Sequence, residues 1–428
     1  MKPDSQNLGP LREGATVVVI GGGPGGTAAA ISLKKYARAL GRSIKVIVVE
    51  GKLFSGDVQY NQCAGVVSPP IAQLLPDELD VPFPWDLCQR TIDRYVLHTS
   101  RRQIELVGKA EPSYALRRVQ FDNYMLESVR KQGIHIHHAR VTDIEFHADR
   151  VVIYTDNSPL VADVVVGAFG LDEGTAAIFQ RAVGYGPPPS LNSVVTKFHP
   201  ETAFLQNFGS GIHVFLPTHK RIEFGAITPK ENHLTINIAG KTADADLMDS
   251  FFSLPEVKAV LSTFAGPGMV NTQPLSYFKG RFPRGLAKNY TGDRFIMIGD
   301  AAGLVRAFKG KGITSAIQTG IRAARVILSE GISKTAFQAY HAANQDILED
   351  LPYGQAMRLF TILSSSTGIM DVAIGAAEID PGLRQAFFDA VSAHRSYKEV
   401  VRRIISPSSV SSIAKAFFFP NSMQKKAA

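Results

Sequence analysis

One stretch near the start, Val17-Val18-Val19-Ile20-Gly21-Gly22-Gly23-Pro24-Gly25-Gly26-Thr27-Ala28-Ala29-Ala30, restricts this chain more than any other. Its apolar β-branched run fits a strand buried on both faces, as in the middle of a parallel sheet. Gly21, Gly23 and Gly26 then fall in the G-x-G-x-x-G spacing. The first glycine permits a sharp turn, the second lets backbone N–H groups approach a pyrophosphate, and the third lets helix and strand pack closely. The helix that follows presents its partial positive charge to the phosphates. A second apolar strand, over residues 44–49, ends in Glu50. That acid lies near the spacing of about 20 residues at which a carboxylate meets the ribose hydroxyls of a bound dinucleotide. The stretch predicts a β-α-β nucleotide site and does not distinguish NAD from FAD.

The chain has 428 residues, too many for one core, so two or more domains are expected. Its net charge of +8 points to an anionic partner: a phosphorylated substrate, an acidic lipid surface or nucleic acid. A basic but inert surface is the plainer alternative. No nucleic-acid module is visible, and no Arg/Lys run alternates with aromatics, so no nucleic-acid partner is expected. Two cysteines, Cys63 and Cys88, argue against a disulfide scaffold, structural zinc or a cysteine-held iron–sulfur cluster, and suit a reducing compartment. Residues 1–14 are polar and carry no secretory core. Residues 359–377 are weakly charged, but Ser364, Ser365, Ser366, Gly368 and Asp371 argue against a spanning helix. The expected location is cytoplasmic. The tail sets Phe417, Phe418 and Phe419 beside Lys415, Lys425 and Lys426; it reads as a packed helix or, alternatively, as a peripheral contact with the inner face of a membrane.

A second strand–turn–helix pattern lies downstream, in Arg294-Phe295-Ile296-Met297-Ile298-Gly299-Asp300-Ala301-Ala302-Gly303. An acid at the end of a strand binds a sugar-like hydroxyl, and a helix start beyond it meets a phosphate or carbonyl. The two glycine patterns together resemble the flavoprotein fold shared by aromatic hydroxylases and geranylgeranyl reductases. The resemblance implies FAD as cofactor. Gly21, Gly23, Pro24, Gly25 and Gly26 would hold its pyrophosphate, Glu50 its adenosine ribose, and Gly299, Asp300 and Ala302 its ribityl side.

Three further segments extend the resemblance. Arg118-Val119-Gln120-Phe121-Asp122 is similar to the R-x-x-F-D that starts the family's third helix, which implies that Arg118 helps hold FAD. A solvated arginine beside a helix start is the plainer alternative. Gly310-Lys311-Gly312-Ile313, followed by Ala316 and Gly320, resembles the G-x-G-I segment beside the isoalloxazine. Helix N-terminal N–H groups there stabilise negative charge on the reduced ring, and Lys311 either adds to that field or points to solvent. Asn61-Gln62-Cys63-Ala64-Gly65-Val66-Val67-Ser68 contains the C-x-G that geranylgeranyl reductases carry on the substrate side of the flavin and that aromatic hydroxylases generally lack. It implies cofactor contact by Ala64 and Gly65. It also implies a catalytic Cys63, whose thiol would supply the proton that accompanies hydride addition to a C=C bond. Cys63 as a small buried hydrophobe is the plain alternative.

One segment departs from the family. Phe169, in Gly167-Ala168-Phe169-Gly170, stands where the family has the acid of G-A-D-G, which weakens the case for hydroxylase-type NADPH docking. No second glycine-rich nucleotide site is visible, so the reductant is expected to be transiently docked NAD(P)H or an electron-donor protein. Phe83 and Trp85 are candidates for an apolar substrate channel or for core filling, and Tyr185, in Gly184-Tyr185-Gly186-Pro187, for a substrate wall or a plain interdomain turn. His135 and His137 share a strand face without a third ligand and read as surface histidines, so no metal is expected. There is no G-x-S-x-G nucleophile elbow and no tryptophan-rich halogenase motif, Trp85 being alone.

The predicted fold class is α/β, or α+β overall. A Rossmann-like FAD-binding domain takes residues 1–78, 117–172 and 290–330, with 79–116 as an excursion to the substrate domain. Residues 173–289 form that inserted, mostly antiparallel domain, with helical patterning near 243–264, and 331–428 a helical C-terminal region. The proline-rich residues 71–90 read as an excursion away from the nucleotide fold. The expected activity is reduction of C=C bonds in a hydrophobic isoprenoid or lipid-linked substrate by hydride from reduced FAD, with Cys63 or a nearby water giving the proton. Two alternatives stay open: a flavin monooxygenase acting on an aromatic or lipid substrate, and a flavin- or lipid-binding protein without turnover.

Overall fold

The computed structural model describes residues 8–54, 63–108, 111–264, 276–306 and 312–418. A six-stranded sheet runs in the order Thr291–Gly292, Phe295–Met297, Val164–Gly167, Thr16–Ile20, Lys45–Val49, His135–His137. Its neighbours are parallel except for the first pair. Val17, Val18 and Val19 are fully buried: Val17 pairs with both Val46 and Val164, and the strand packs against the helix Pro24–Ala39 and the strand Leu160–Ala162 of a three-stranded antiparallel sheet. The helix Pro24–Ala39 starts with Pro24 at its first position, where the missing N–H is harmless. It packs on the long helix Gly312–Ser329 through small residues: a Cβ on Gly320 would lie 2.5 Å from the Gly25 carbonyl oxygen.

The second sheet has seven strands, in the order Phe278–Pro283, Ser190–Phe198, Leu234–Gly240, Phe224–Pro229, Ile212–Phe215, Arg94–His98, Gln103–Val107. It is antiparallel except where Ile212–Phe215 runs parallel to Arg94–His98. One face buries Phe215, Ile236 and Ile238 under the helices Ala245–Ser253 and Pro255–Phe264. Asp244 starts the first of these by accepting the Leu247 N–H at 2.9 Å, and Pro255 splits the patterned 243–264 stretch in two. Part of the opposite face, with Tyr95, Leu97, Ile212 and Val214, packs against Met370, Ile374, Leu383 and Phe387 of the C-terminal helices. An ion pair between Arg358 and Glu223, 16% and 11% exposed, ties those helices to the sheet.

Two sequence expectations change. Residues 71–90 do not all leave the nucleotide fold: Ile71–Leu79 is a helix whose Ile71, Leu75 and Leu79 enter the main core. Pro76 lies inside it, six residues in, and hides the pattern. His137 is not a surface histidine; it is 7% exposed and meets Thr155 Oγ at 3.2 Å, whereas His135 is exposed. Among the described residues no single helix is long and apolar enough to cross a membrane; Gln345–Thr367 and Ile369–Ile379 reach that measure only together and are bent by 104°.

On the helix-covered face of the second sheet, His98 Nε2 and His213 Nδ1 are 2.9 Å apart, and the His98 ring stacks on Phe215. Burial pushes His98 down to about 3, with His213 adding to it, and pushes His213 down to about 4. A neutral pair can share one proton; a second proton sets donor against donor. Between pH 6.5 and about 3 the unfolded chain therefore binds more protons than the folded one, and stability falls as pH falls. The urea midpoint should drop continuously below pH 6.5. Replacing both rings, His98→Gln with His213→Gln, should flatten that slope; an unchanged slope would rule the pair out as its source.

Candidate active site

The first glycine turn is built on backbone crowding. Gly21 has φ +111°, and a Cβ there would lie 2.4 Å from the Ala168 carbonyl oxygen. A Cβ on Gly26 would lie 1.9 Å from the Gly21 oxygen, so Gly26 serves the packing of turn on helix and stands behind the site wall. Gly23 differs. Its φ is −70°, and a Cβ on it would meet nothing within 4 Å, because it faces open space. No side chain caps the helix that begins there, which leaves first-turn N–H groups for a ligand. Glu50 is fixed beside the turn by accepting the Gly22 N–H at 2.7 Å and the Lys52 N–H at 2.8 Å. Its remaining lone pairs suit ribose hydroxyls.

The late motif arrives from the strand Phe295–Met297. Gly299, φ +55°, opens the short helix Gly299–Ala302 and donates its N–H to Thr319 Oγ at 3.0 Å. Burial raises the pKa of Asp300, and the Arg118 charge opposes this. A Cβ on Gly312 would come within 2.9 Å of Asp300 Oδ1, so a glycine is needed where the long helix starts. Arg118 opens the helix Arg118–Lys131 and donates from Nε to Asp122 Oδ1 at 2.6 Å. Burial works against its charge, but Asp122 and Cys63 outweigh it and hold the guanidinium protonated. Its terminal nitrogen lies 3.8 Å from Cys63 Sγ, which also accepts the Gly65 N–H at 3.3 Å. Gly65 has φ +63°, and a Cβ there would strike the Leu116 oxygen at 2.2 Å.

These groups line one cavity of about 1050 Å³. It brings together Gly21, Gly23, Pro24, Gly25 and Glu50 with Cys63, Ala64, Gly65 and Arg118, and with Gly299, Asp300, Gly312 and Ile313. Gly310 and Lys311 lie outside the described residues. Ala302 is fully buried behind the wall, its carbonyl accepting the Ala287 N–H at 3.0 Å. The three substrate candidates are not part of this wall. Phe83 is core, packed edge-on to the 58%-exposed Trp85 and close to Tyr114. Tyr185 is 1% exposed and donates to the Ala301 oxygen at 2.7 Å, bracing the helix that carries Asp300. Phe169 does line the cavity, stacked on Phe179 at 5.5 Å.

Sequence reasoning missed the far wall. Tyr95, Ser193, Val195, Ala226 and Asn237 share one face of the second sheet, and Lys279 and Arg281 lie along its edge strand. The alternation of each strand was readable; which face would meet the nucleotide domain was not. Among the described residues no group of three His, Cys, Asp or Glu is placed to hold a metal. The donor set fits FAD: an open glycine turn at a helix start, an anchored carboxylate beside it, and a buried acid with an arginine further along.

No family model matches the chain. A digeranylgeranylglycerophospholipid reductase of Methanosphaera stadtmanae is 25% identical over 187 residues, 42% of this chain and 42% of that protein. The chain thus matches less than half the length of this curated relative. A geranylgeranyl bacteriochlorophyll reductase-like protein from Thermoplasma acidophilum superimposes with a TM-score of 0.61 at 20% identity, over 97% of this chain and 99% of that one. A flavin-dependent brominase does so with a TM-score of 0.66 at 15% identity, over 91% and 98%. The fold is therefore the flavoprotein fold that the reductase-like protein and the brominase share.

The second and third glycines of the motif, Gly23 and Gly26, should separate ligand binding from folding. Gly23→Ala should fold normally and lose FAD affinity by about tenfold or more, roughly 1.4 kcal/mol. Gly26→Ala should destabilise the protein itself by ~1–3 kcal/mol. Thermal melts and retained flavin absorbance measure both; full flavin retention in Gly23→Ala would exclude this turn from the cofactor site.

Proposed function

We propose that the protein binds FAD in this cavity and saturates C=C bonds of a hydrophobic isoprenoid or lipid-linked substrate. The observation that carries the reading is the Cys63 thiol, exposed on the wall that also holds the glycine turn and Asp300 and held by the Gly65 N–H and the Arg118 guanidinium. Reduced FAD, when bound, supplies the hydride. Gly21 to Gly25, Glu50, Arg118 and Asp300 hold the cofactor. The sheet face of Tyr95, Val195, Val214 and Phe224 shelters an apolar chain and excludes water. Cys63 gives the proton to the carbon next to the one that receives the hydride, and the Arg118 charge steadies the thiolate left behind. Either NAD(P)H, docking transiently, or an electron-donor protein brings the electrons.

A lipid substrate has to be drawn from a bilayer. Leu359, Phe360 and Leu363 on Gln345–Thr367, and Val410, Phe417 and Phe418 on Pro407–Phe418, are exposed apolar side chains, with Lys415 beside the last two. They support peripheral contact with a membrane surface.

The test is turnover without oxygen. Chemically reduced protein, given a polyprenyl glycerophospholipid anaerobically, should yield a product richer by two hydrogens per double bond. Cys63→Ser should keep FAD and slow this step by about 10²-fold or more. A product that forms only in air and carries oxygen from O₂ would replace this reading with hydroxylation; unchanged turnover in the cysteine variant would remove Cys63 from it.

A further inference from the structure

Lys230 lies in the turn between Phe224–Pro229 and Leu234–Gly240, its N–H on the His233 oxygen at 2.8 Å and its own carbonyl held by Arg90 at 3.0 Å. The residue is 2% exposed. Its Nζ donates to the Leu116 oxygen at 2.7 Å and sits 3.2 Å from where a Cβ on Gly65 would be. Leu116 donates its N–H to the Gly65 oxygen at 2.8 Å, and Gly65 donates to Cys63 Sγ at 3.3 Å. The amine is thus tucked under the Cys63-Ala64-Gly65 segment, three hydrogen bonds from the thiol by way of Leu116 and Gly65.

A buried ammonium is normally matched by a carboxylate. Among the described residues none acts on Lys230. The ionisable groups that do are the Cys63 and Cys88 thiols, which favour its charge, and Lys197 of the strand Ser190–Phe198, which opposes it. The surroundings are otherwise cationic. Arg118, paired with Asp122, faces Cys63 from its helix, while Arg117, Lys197, Lys230 and His199 act with burial to push His233 down to about 3. Burial brings Lys230 itself down to about 8, a value at which it is still mostly charged near neutrality.

We propose that Lys230 is a positioning residue for Cys63: a buried ammonium that acts with Arg118 to favour the thiolate. Its consequence for catalysis rests on the reading of Cys63 as proton donor. When the S–H bond breaks and the proton joins substrate carbon, the negative charge on sulfur is met by two cations, and the thiol is restored by a proton from water. Leu116 and Gly65 set the distance. Among the described residues no carboxylate competes with sulfur for the field of the ammonium.

The test reads the thiol directly and needs no substrate. In the full-length, FAD-loaded protein with Cys88→Ser, the rate of Cys63 alkylation by iodoacetamide is followed from pH 6 to 10. Lys230→Met should move the midpoint of the profile up by about one pH unit and slow alkylation near neutrality by about tenfold. Lys230→Arg should keep the parental profile. Lys230→Gln, which retains a donor for the Leu116 oxygen without the charge, should behave like Lys230→Met. A parental profile in Lys230→Gln would overturn the proposal and leave Lys230 a purely structural tie, and it decides the matter even where Lys230→Met fails to fold. A shifted alkylation profile in a protein that reduces no polyprenyl lipid would refute the proposed function while leaving this inference in place.

Discussion

Backbone packed directly against backbone, at the carboxyl end of the parallel sheet, is the constraint from which the site follows. Gly21 sits on Ala168, Gly26 on Gly21, and Gly320 on Gly25, each at a distance that a Cβ would reduce to 2.5 Å or less. These contacts bring two helix starts, Pro24 and Gly312, to the same edge of the sheet, together with the strand end that carries Asp300. Replacing Gly21 or Gly320 by a larger residue would push apart segments that are distant in sequence, Gly320 and Gly25 lying almost 300 residues apart. The cavity is the space left between these elements and the second sheet.

This explains what the sequence could disclose. A glycine turn is encoded locally, by residue type and spacing, so Gly21, Gly23, Gly25, Glu50, Gly299 and Asp300 could be placed in one site before any contact was known. Side chains whose role depends on distant partners could not. Tyr185 looked available for a substrate, yet its hydroxyl is spent on the Ala301 oxygen, 116 residues away. Phe83 and Trp85 looked like channel lining, and they stack with Tyr114 outside the cavity. Lys230 carries no motif at all; its place beneath Gly65 comes from a hairpin folding back onto Leu116. The helix Ile71–Leu79 was hidden for a local reason, since Pro76 interrupts the signal without breaking the helix.

The second sheet shows the same division between local and distant information. Its strands were legible from alternation, but its two faces have different fates. One is sealed by Phe251, Met248 and Val257 over Phe215 and Ile238. The other is shared between C-terminal helices and the cavity, which even Val391 helps to line. Arg358 and Glu223 fix that arrangement: a nearly buried, two-point ion pair is direction-specific, so the long C-terminal helix can sit on the sheet in one way. The C-terminal region is therefore part of the site's construction, although nothing in its sequence resembles a cofactor motif.

Charge distribution then distinguishes the two ends of the cavity. At the glycine turn the protein offers Glu50, an acceptor already satisfied on one side by Gly22 and Lys52, which suits hydroxyls. At Cys63 it offers cations, with Arg118 in contact and Lys230 behind, and Arg118 is itself paired with Asp122. Phe169 fits the same division. An acid there would have added to the negative charge of Asp172 and Glu173 on the same cavity wall, whereas the ring stacks on Phe179.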